Sequence, residues 1–239
     1  MSQKEKRPSV KESVGGLRYC FATTNEVDPQ IFSGKYEEEV AVSNVVKSIK
    51  RTENGDTTPV YASGRDYDTV SDTSSVDSEV EVVAFDPTDL AKMRGDEITE
   101  SGLILKGGSS ERPFFAFGQT VFYRQNRKKF RWYPKCKLTA DTDDTNTKEE
   151  SFSEQNDTVT IRAYPFNDKG QIAVEFDTAV KTATGLTEEK FFNQVITSDE
   201  DLKKVCGVNT ATFCHTNRFI SVAKTEEDAI EMAKIAVKN

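Results

Sequence analysis

A strict apolar/acidic alternation runs through the stretch VDSEVEVVAFDPTDLAKMRG, Val76 to Gly95, and then breaks straight into a short capped helix. Successive side chains of a strand point to opposite faces, so Val76, Val80, Val82 and Ala84 share one face while Asp77, Glu79 and Glu81 share the other. Such a segment fits a sheet with one face on a core. At Asp86-Pro87 the period changes. Asp86 is placed to N-cap a helix, Pro87 suits its first turn, Leu90 and Met93 fall on one side, and Gly95 stands past its end.

The chain has 239 residues, enough for one main domain with extensions. Hydrophobic residues make up 36% and charged ones 30%, which predicts a polar surface and long loops. A formal net charge of -8 argues against capture of DNA or an anionic membrane by the whole molecule, while leaving room for a local basic patch. No run approaches the roughly 20 apolar residues of a spanning helix. The N-terminus MSQKEKRPSVKES has no hydrophobic run to act as a signal peptide, which predicts a cytoplasm-like compartment. Cys20, Cys136, Cys206 and Cys214 form no CxxC pair and are expected to be reduced and mostly buried.

Residues 1–16 are rich in cations, end at Gly15-Gly16 and read as a flexible arm. Strand candidates follow at 17–22, 40–50, 58–62, 76–85, 102–106, 114–124, 129–139, 157–164 and 171–177. Their spacing predicts a mainly β fold, an antiparallel sandwich or barrel with a flanking helix. The polar stretches 63–75 and 140–157 read as long loops that a neighbour would order. Thr187-Glu188-Glu189 opens a short helical run through Phe191, Phe192 and Val195. Thr225 to Asp228 resembles a capping box ahead of Ala229, Ile230, Ala233, Ala236 and Val237, so residues 198–239 read as a partly helical extension.

Catalytic and metal motifs are scarce. His215 is the single histidine, and it adjoins Cys214 with no further ligand at metal spacing. Gly102 to Gly108, GLILKGG, lacks the lysine and the strand-to-helix context of a phosphate loop and reads as a tight turn. Carboxylates are abundant, but no two are marked as an acid/base pair. The expectation is therefore a protein that is not an enzyme, with no cofactor and no metal.

Residues 124–137 gather Arg124, Arg127, Lys128, Lys129, Arg131, Lys135 and Lys137 with no acid, interleaved with Phe130, Trp132 and Tyr133. One reading is a nucleic-acid-binding β-barrel module that stacks bases on these aromatics. The other places Phe130 and Trp132 on one core-facing side and has the cations meet the acidic 140–157 loop of the same or a neighbouring subunit. The candidate inter-subunit residues are then Arg124, Arg127, Lys128, Lys129, Asp141, Asp143 and Asp144.

An ordered series of segments resembles the major tail proteins, the tail tube subunits, of long-tailed bacteriophages of Gram-positive hosts. The series is LRYCFATTNE, VYASGRDYDTVSDTSSVDSEVEVVAFDPTDLAKMRG, SGLILKGG, PFFAFGQTVFYRQNRKKFRWYPKCKL, NTKEESFSEQNDTVTIRAYP and GLTEEKFFNQVI, spanning Leu17 to Ile196. The resemblance implies a tail-tube β-sandwich or barrel domain over 17–197, six copies closing into a ring, and rings stacking into a hollow tube in the virion tail. It implies assembly in the host cytoplasm around a tape measure protein, with tail-tip and tail-terminator proteins as further partners. DNA would pass through without specific binding, and this subunit would not insert into a membrane. Asp77, Glu79 and Glu81 are then candidates to line the lumen and repel phosphates, or else to form an exterior or inter-subunit face. Residues 198–239 exceed the group's pattern.

Overall fold

The computed structural model describes residues 8–24, 32, 34–62, 65–107, 111–143, 145, 147, 155–180 and 186–207, with backbone alone for 57–62 and 65–72. The chain divides into two compact units, Met1–Thr197 and Ser198–Asn239. In chain order the described strands are β1 (Lys11–Phe21), β2 (Ala41–Ser43), β3 (Val46–Ala62), β4 (Arg65–Val82), β5 (Glu97–Ile98), β6 (Ile104–Leu105), β7 (Phe115–Tyr123), β8 (Arg127–Asp143), β9 (Asp157–Ala163) and β10 (Val174–Asp177). The helices are α1 (Pro87–Arg94) between β4 and β5, α2 (Glu188–Phe192), and α3 (Asp199–Val205) in the second unit.

One antiparallel sheet runs in the order β2-β1-β7-β8-β9-β4-β3, with β10 also on β8. β8 is the strand that bends it. Its first half pairs with β7 on one edge, Thr120↔Phe130, and with β10 on the other, Phe130↔Phe176. Its second half passes to β9, Leu138↔Ile161, and β4 follows, Val80↔Val159. The sheet curls far enough for β3 to come within 8 Å of β1 between Cα atoms. The turn of the β7–β8 hairpin holds Gln125 and Asn126 at φ 64° and 59°, a primed geometry whose twist matches that of the flanking strands.

Alternation decides which residues meet inside. Leu17, Phe117, Tyr133, Leu138, Val80, Val82, Val159 and Ile161 are all buried in one cluster, as the Val76–Val82 pattern predicts. Each such side chain contributes ~1.5–3 kcal/mol relative to full exposure. Phe85 and Met93 add to the cluster from the α1 end of the fold. α1 forms as the sequence predicts: Asp86 Oδ1 accepts from the Thr88 and Asp89 amides at 2.9 and 3.1 Å, Pro87 opens the helix, and Gly95 ends it at φ 77°.

The other face of the hairpin is buried too. Phe130 and Trp132, on one side of β8 as expected, are covered by Phe191 and Phe192 of α2, with the Trp132 and Phe192 rings 5.2 Å apart. Trp132 Nε1 donates to the Phe191 carbonyl at 3.2 Å. Thr187 N-caps α2, accepting from the Lys190 amide. Gly118 makes this approach possible: a Cβ there would lie 2.8 Å from the Phe192 ring and 2.9 Å from Trp132.

Several expectations are corrected. Residues 11–16 are strand rather than arm: Lys11–Gly16 belong to β1, where Lys11↔Tyr123 and Val14↔Val121 pair and a register shift takes up Gly15-Gly16, and residues 1–7 lie outside the described residues. The stretch 63–75 is not a loop beyond Gly64, since Arg65 onward is strand and pairs with β3 as far as Ala62↔Arg65. Its polar composition carries no apolar alternation, the signal by which a strand is read from sequence. Likewise Ala140 to Asp143 extend β8 rather than opening a loop. β4 ends at Val82, so Ala84 is exposed instead of sharing the apolar face. GLILKGG turns tightly as read, with Gly102 at φ 85° between the short strands β5 and β6. His215, Cys214 and the helix proposed after Thr225 lie outside the described residues.

Candidate functional site

The acidic row on β4 is tied to its neighbours by cross-strand donors, two of them cationic, rather than standing as a bare line of carboxylates. Register places Asp77 opposite Arg162 of β9 and Thr52 of β3. Arg162 Nε and Nη2 donate to Asp77 Oδ1 and Oδ2 at 2.6 and 2.8 Å, and Asn54 Nδ2 donates at 2.8 Å. The Arg162 hydrogen bonds hold the Asp77 carboxyl below the usual carboxylate range, against the opposing effect of burial. Glu79 lies 3.5 Å from Lys50, and Glu81 accepts from Asn156 at 2.9 Å and Ser48 at 3.0 Å. The three share a face as predicted; Arg162 and Lys50 offset the charge of Asp77 and Glu79, whereas Glu81 keeps its charge and is held by neutral donors. Nothing in the period-2 pattern of β4 marks Arg162 and Lys50 as their partners; those come only with register.

The basic hairpin is neutralised by acids from elsewhere than 140–157. Arg127 Nε and Nη2 donate to Asp177 of β10 at 2.9 and 2.5 Å, which holds the Asp177 carboxyl down at about 2. Lys129 pairs with Glu175 at 3.2 Å and Asp177 at 3.7 Å, and Lys128 lies 3.7 Å from Glu188 in the first turn of α2. Burial by itself would raise Glu175, yet Arg131 and Lys129 outweigh it and its carboxyl stays below the usual range. Arg124 is exposed, and its amide donates to the Val10 carbonyl at 3.0 Å. Of the acids proposed as inter-subunit partners, Asp141 pairs with Arg94 of α1 and Asp143 accepts from Thr145 at 3.2 Å. Asp144 lies outside the described residues. The hairpin and the 140–157 acids therefore do not meet one another within the described chain. Glu175, Asp177 and Glu188 take that role; the VEFD alternation of 174–177 is the sequence signal of the first two, and the helix start at Thr187 that of Glu188.

The third element is the ribbon. β4 pairs with β9 only from Val76 to Val82, whereas it pairs with β3 along its whole length. Residues beyond Asn54↔Ser75 thus form a two-stranded arm carrying ladder groups on both edges. At about 3.3 Å per residue its eight or so pairs reach roughly 25–30 Å. Beside it in chemistry is the β5–β6 hairpin, where Ile98, Leu103 and Leu105 are 43%, 61% and 52% exposed.

A family model, MYG1_exonuc, an uncharacterised protein family (UPF0160), matches residues 148–237, less than half of the chain. That match overturns the expectation that the chain is not an enzyme, since the family's name designates an exonuclease. Among the described residues no group of three or more His, Cys, Asp or Glu is arranged to hold a metal ion. No curated protein matches. A solved structure similar to this chain is the baseplate of the anti-feeding prophage (AFP), 6-fold symmetrised, at 10% identity and a TM-score of 0.35, covering 72% of this chain and 97% of that one. A likeness of that degree carries no argument about function.

Proposed function

We propose that this chain is a self-assembling structural subunit of a phage tail tube, closing as hexameric rings that stack into a channel for DNA. The observation that carries this reading is the β3–β4 ribbon. An isolated two-stranded hairpin is marginal in water, and its two edges, unpaired among the described residues, are templates for pairing with another chain. A second copy supplies such a chain at the concentration of assembly. The exposed apolar side chains of β5–β6 provide area for burial between copies. The ordered segments from Leu17 to Ile196 support the family resemblance, and with it the tape measure, tail-tip and tail-terminator proteins as partners and the virion tail as location. The offset charges of Asp77 and Glu79 give the lumen-wall role less electrostatic force than a bare acidic row would have. Negative-stain microscopy of the concentrated protein tests the reading: rings or tubes support it, and monomers at every concentration, with or without a tape measure protein, refute it.

The family match favours a second reading, nucleolytic activity associated with residues 148–237. End-labelled single- and double-stranded DNA incubated with the full chain, with and without divalent cations, tests it. Progressive loss of the label supports it, and intact DNA under every condition refutes it.

A further inference from the structure

The inner face of the β7–β8 hairpin changes character along its length. Near the middle of the sheet Phe117 and Tyr133 stack with centroids 5.6 Å apart. Towards the turn, two residues on along each strand, stand Gln119 and Arg131, and then Val121 and Lys129. There the curled sheet does not close. A cavity of about 690 Å³ remains, bounded by the N-terminal half of β1, by β3, β7, β8 and β10. This lies within the roughly 300–1,000 Å³ of small-molecule sites.

Its lining is cationic. Lys11, Arg51, Lys129 and Arg131 face two carboxylates, Glu12 and Glu175. Glu175 alone serves three of the cations: Arg131 Nε at 2.5 Å, Lys129 Nζ at 3.2 Å and Arg51 Nη1 at 3.3 Å. Arg51 also pairs with Glu53 and Lys129 with Asp177, whereas Arg131, 9% exposed, has Glu175 as its carboxylate partner and shares it with the other two. Gln119 adds an independent demand. It lines the same cavity at 3% exposure, and its Oε1 has no hydrogen-bond partner among the described residues. A buried acceptor in that position calls for a donor.

We propose that this cavity binds a small hydroxylated anion, a phosphorylated or carboxylated polyol. Its anionic head lies among Arg51, Lys129 and Arg131, and a hydroxyl donates to Gln119 Oε1. The cations supply charge-assisted hydrogen bonds to either kind of head, and the amide oxygen selects ligands that carry a hydroxyl.

Isothermal titration of the full chain tests this with ribose 5-phosphate, gluconate, inorganic phosphate and glycerol. Ribose 5-phosphate or gluconate is expected to bind with a Kd of about 1 mM or tighter, and the one that binds identifies the head group. Inorganic phosphate is expected to bind about tenfold more weakly and glycerol not at all. Glu175→Gln removes the carboxylate that competes with the ligand for Arg51, Lys129 and Arg131 and tightens binding about fivefold, whereas Lys129→Gln weakens it about tenfold. Gln119→Leu removes the preference for the hydroxylated ligand over inorganic phosphate. Lys50→Gln, a cation outside the cavity lining, leaves binding unchanged. Thermal melting establishes that each variant is folded, and Lys129→Gln, at a partly exposed position, carries the test if Glu175→Gln does not fold. Absence of saturable binding by both hydroxylated anions overturns the proposal. So does binding that Lys129→Gln leaves unchanged or that Glu175→Gln weakens.

Discussion

Asp77 and Arg162 stand directly opposite each other across the β4–β9 pairing and are joined by two hydrogen bonds, of 2.6 and 2.8 Å. A carboxylate that sequence alone places on an open acidic face is thus half of a fork-to-carboxylate pair. Its folded-state pKa is depressed by that pairing. The stability it adds is fully present above the ordinary value near 3.8 and is lost as pH falls through the depressed folded value. Urea unfolding of wild type and Asp77→Asn should therefore differ at pH 7 and converge towards pH 2. At neutral pH the Asp77→Asn, Arg162→Gln double-mutant cycle should give a coupling of ~0.5–1 kcal/mol, the size expected of a partly exposed pair.

Gly118→Ala should destabilise the fold by ~1–3 kcal/mol, because its Cβ would enter the space of the Phe192 and Trp132 rings. The midpoint of urea unfolding measures this. Phe192→Leu in the same chain should recover part of the loss, because the nearest of the clashing atoms belongs to Phe192.

Cys20 and Cys136 should resist alkylation in the folded protein. Burial pushes the Cys20 thiol up to about 11 and the Cys136 thiol well above its ordinary value, so little thiolate exists at pH 8. Cys206 is only half-buried. Iodoacetamide followed by peptide mass mapping should show Cys206 modified before Cys20 and Cys136, which should be labelled only after denaturation.

Deleting residues 1–16 should lower stability measurably rather than leave the fold untouched. It removes the pairs Lys11↔Tyr123, Ser13↔Phe122 and Val14↔Val121 from the edge of the β7–β8 hairpin. A deletion of residues 1–7 stops short of this strand and should melt like wild type. Differential scanning calorimetry of the two truncations separates the effects.

How much of this was legible depended on whether an element buries a face. Val76, Val80 and Val82 could be assigned inward, and α1 bounded, because burial and capping leave local signatures in residue type. Phe130 and Trp132 were placed correctly on one buried face, but the equal burial of Arg131 and Tyr133 was not, since two-sided burial breaks the hydrophobic alternation. The β3–β4 ribbon escaped notice because its sequence, rich in Asp, Ser and Thr, carries no apolar alternation, and its pairing is a matter of backbone register. Charge partners were the least legible feature. Arg127 with Asp177 and Arg162 with Asp77 are 50 and 85 residues apart, and only register brings them together. The cavity lined by Gln119 and Arg131 depends on the same long-range closure.

The ribbon also offers the most direct test of self-assembly. Register allows it to be shortened cleanly, by replacing residues 56–72 with an Asn-Gly turn between Gly55 and Thr73, which leaves the β4–β9 pairing from Val76 onward intact. Wild type and shortened protein, concentrated side by side, can be compared by negative-stain microscopy and sedimentation velocity. Wild type should form rings or tubes, and the shortened chain should be a folded monomer with an unchanged cooperative melt. Wild-type protein that stays monomeric at every concentration, or a shortened chain that assembles as well as wild type, would contradict self-assembly through the ribbon.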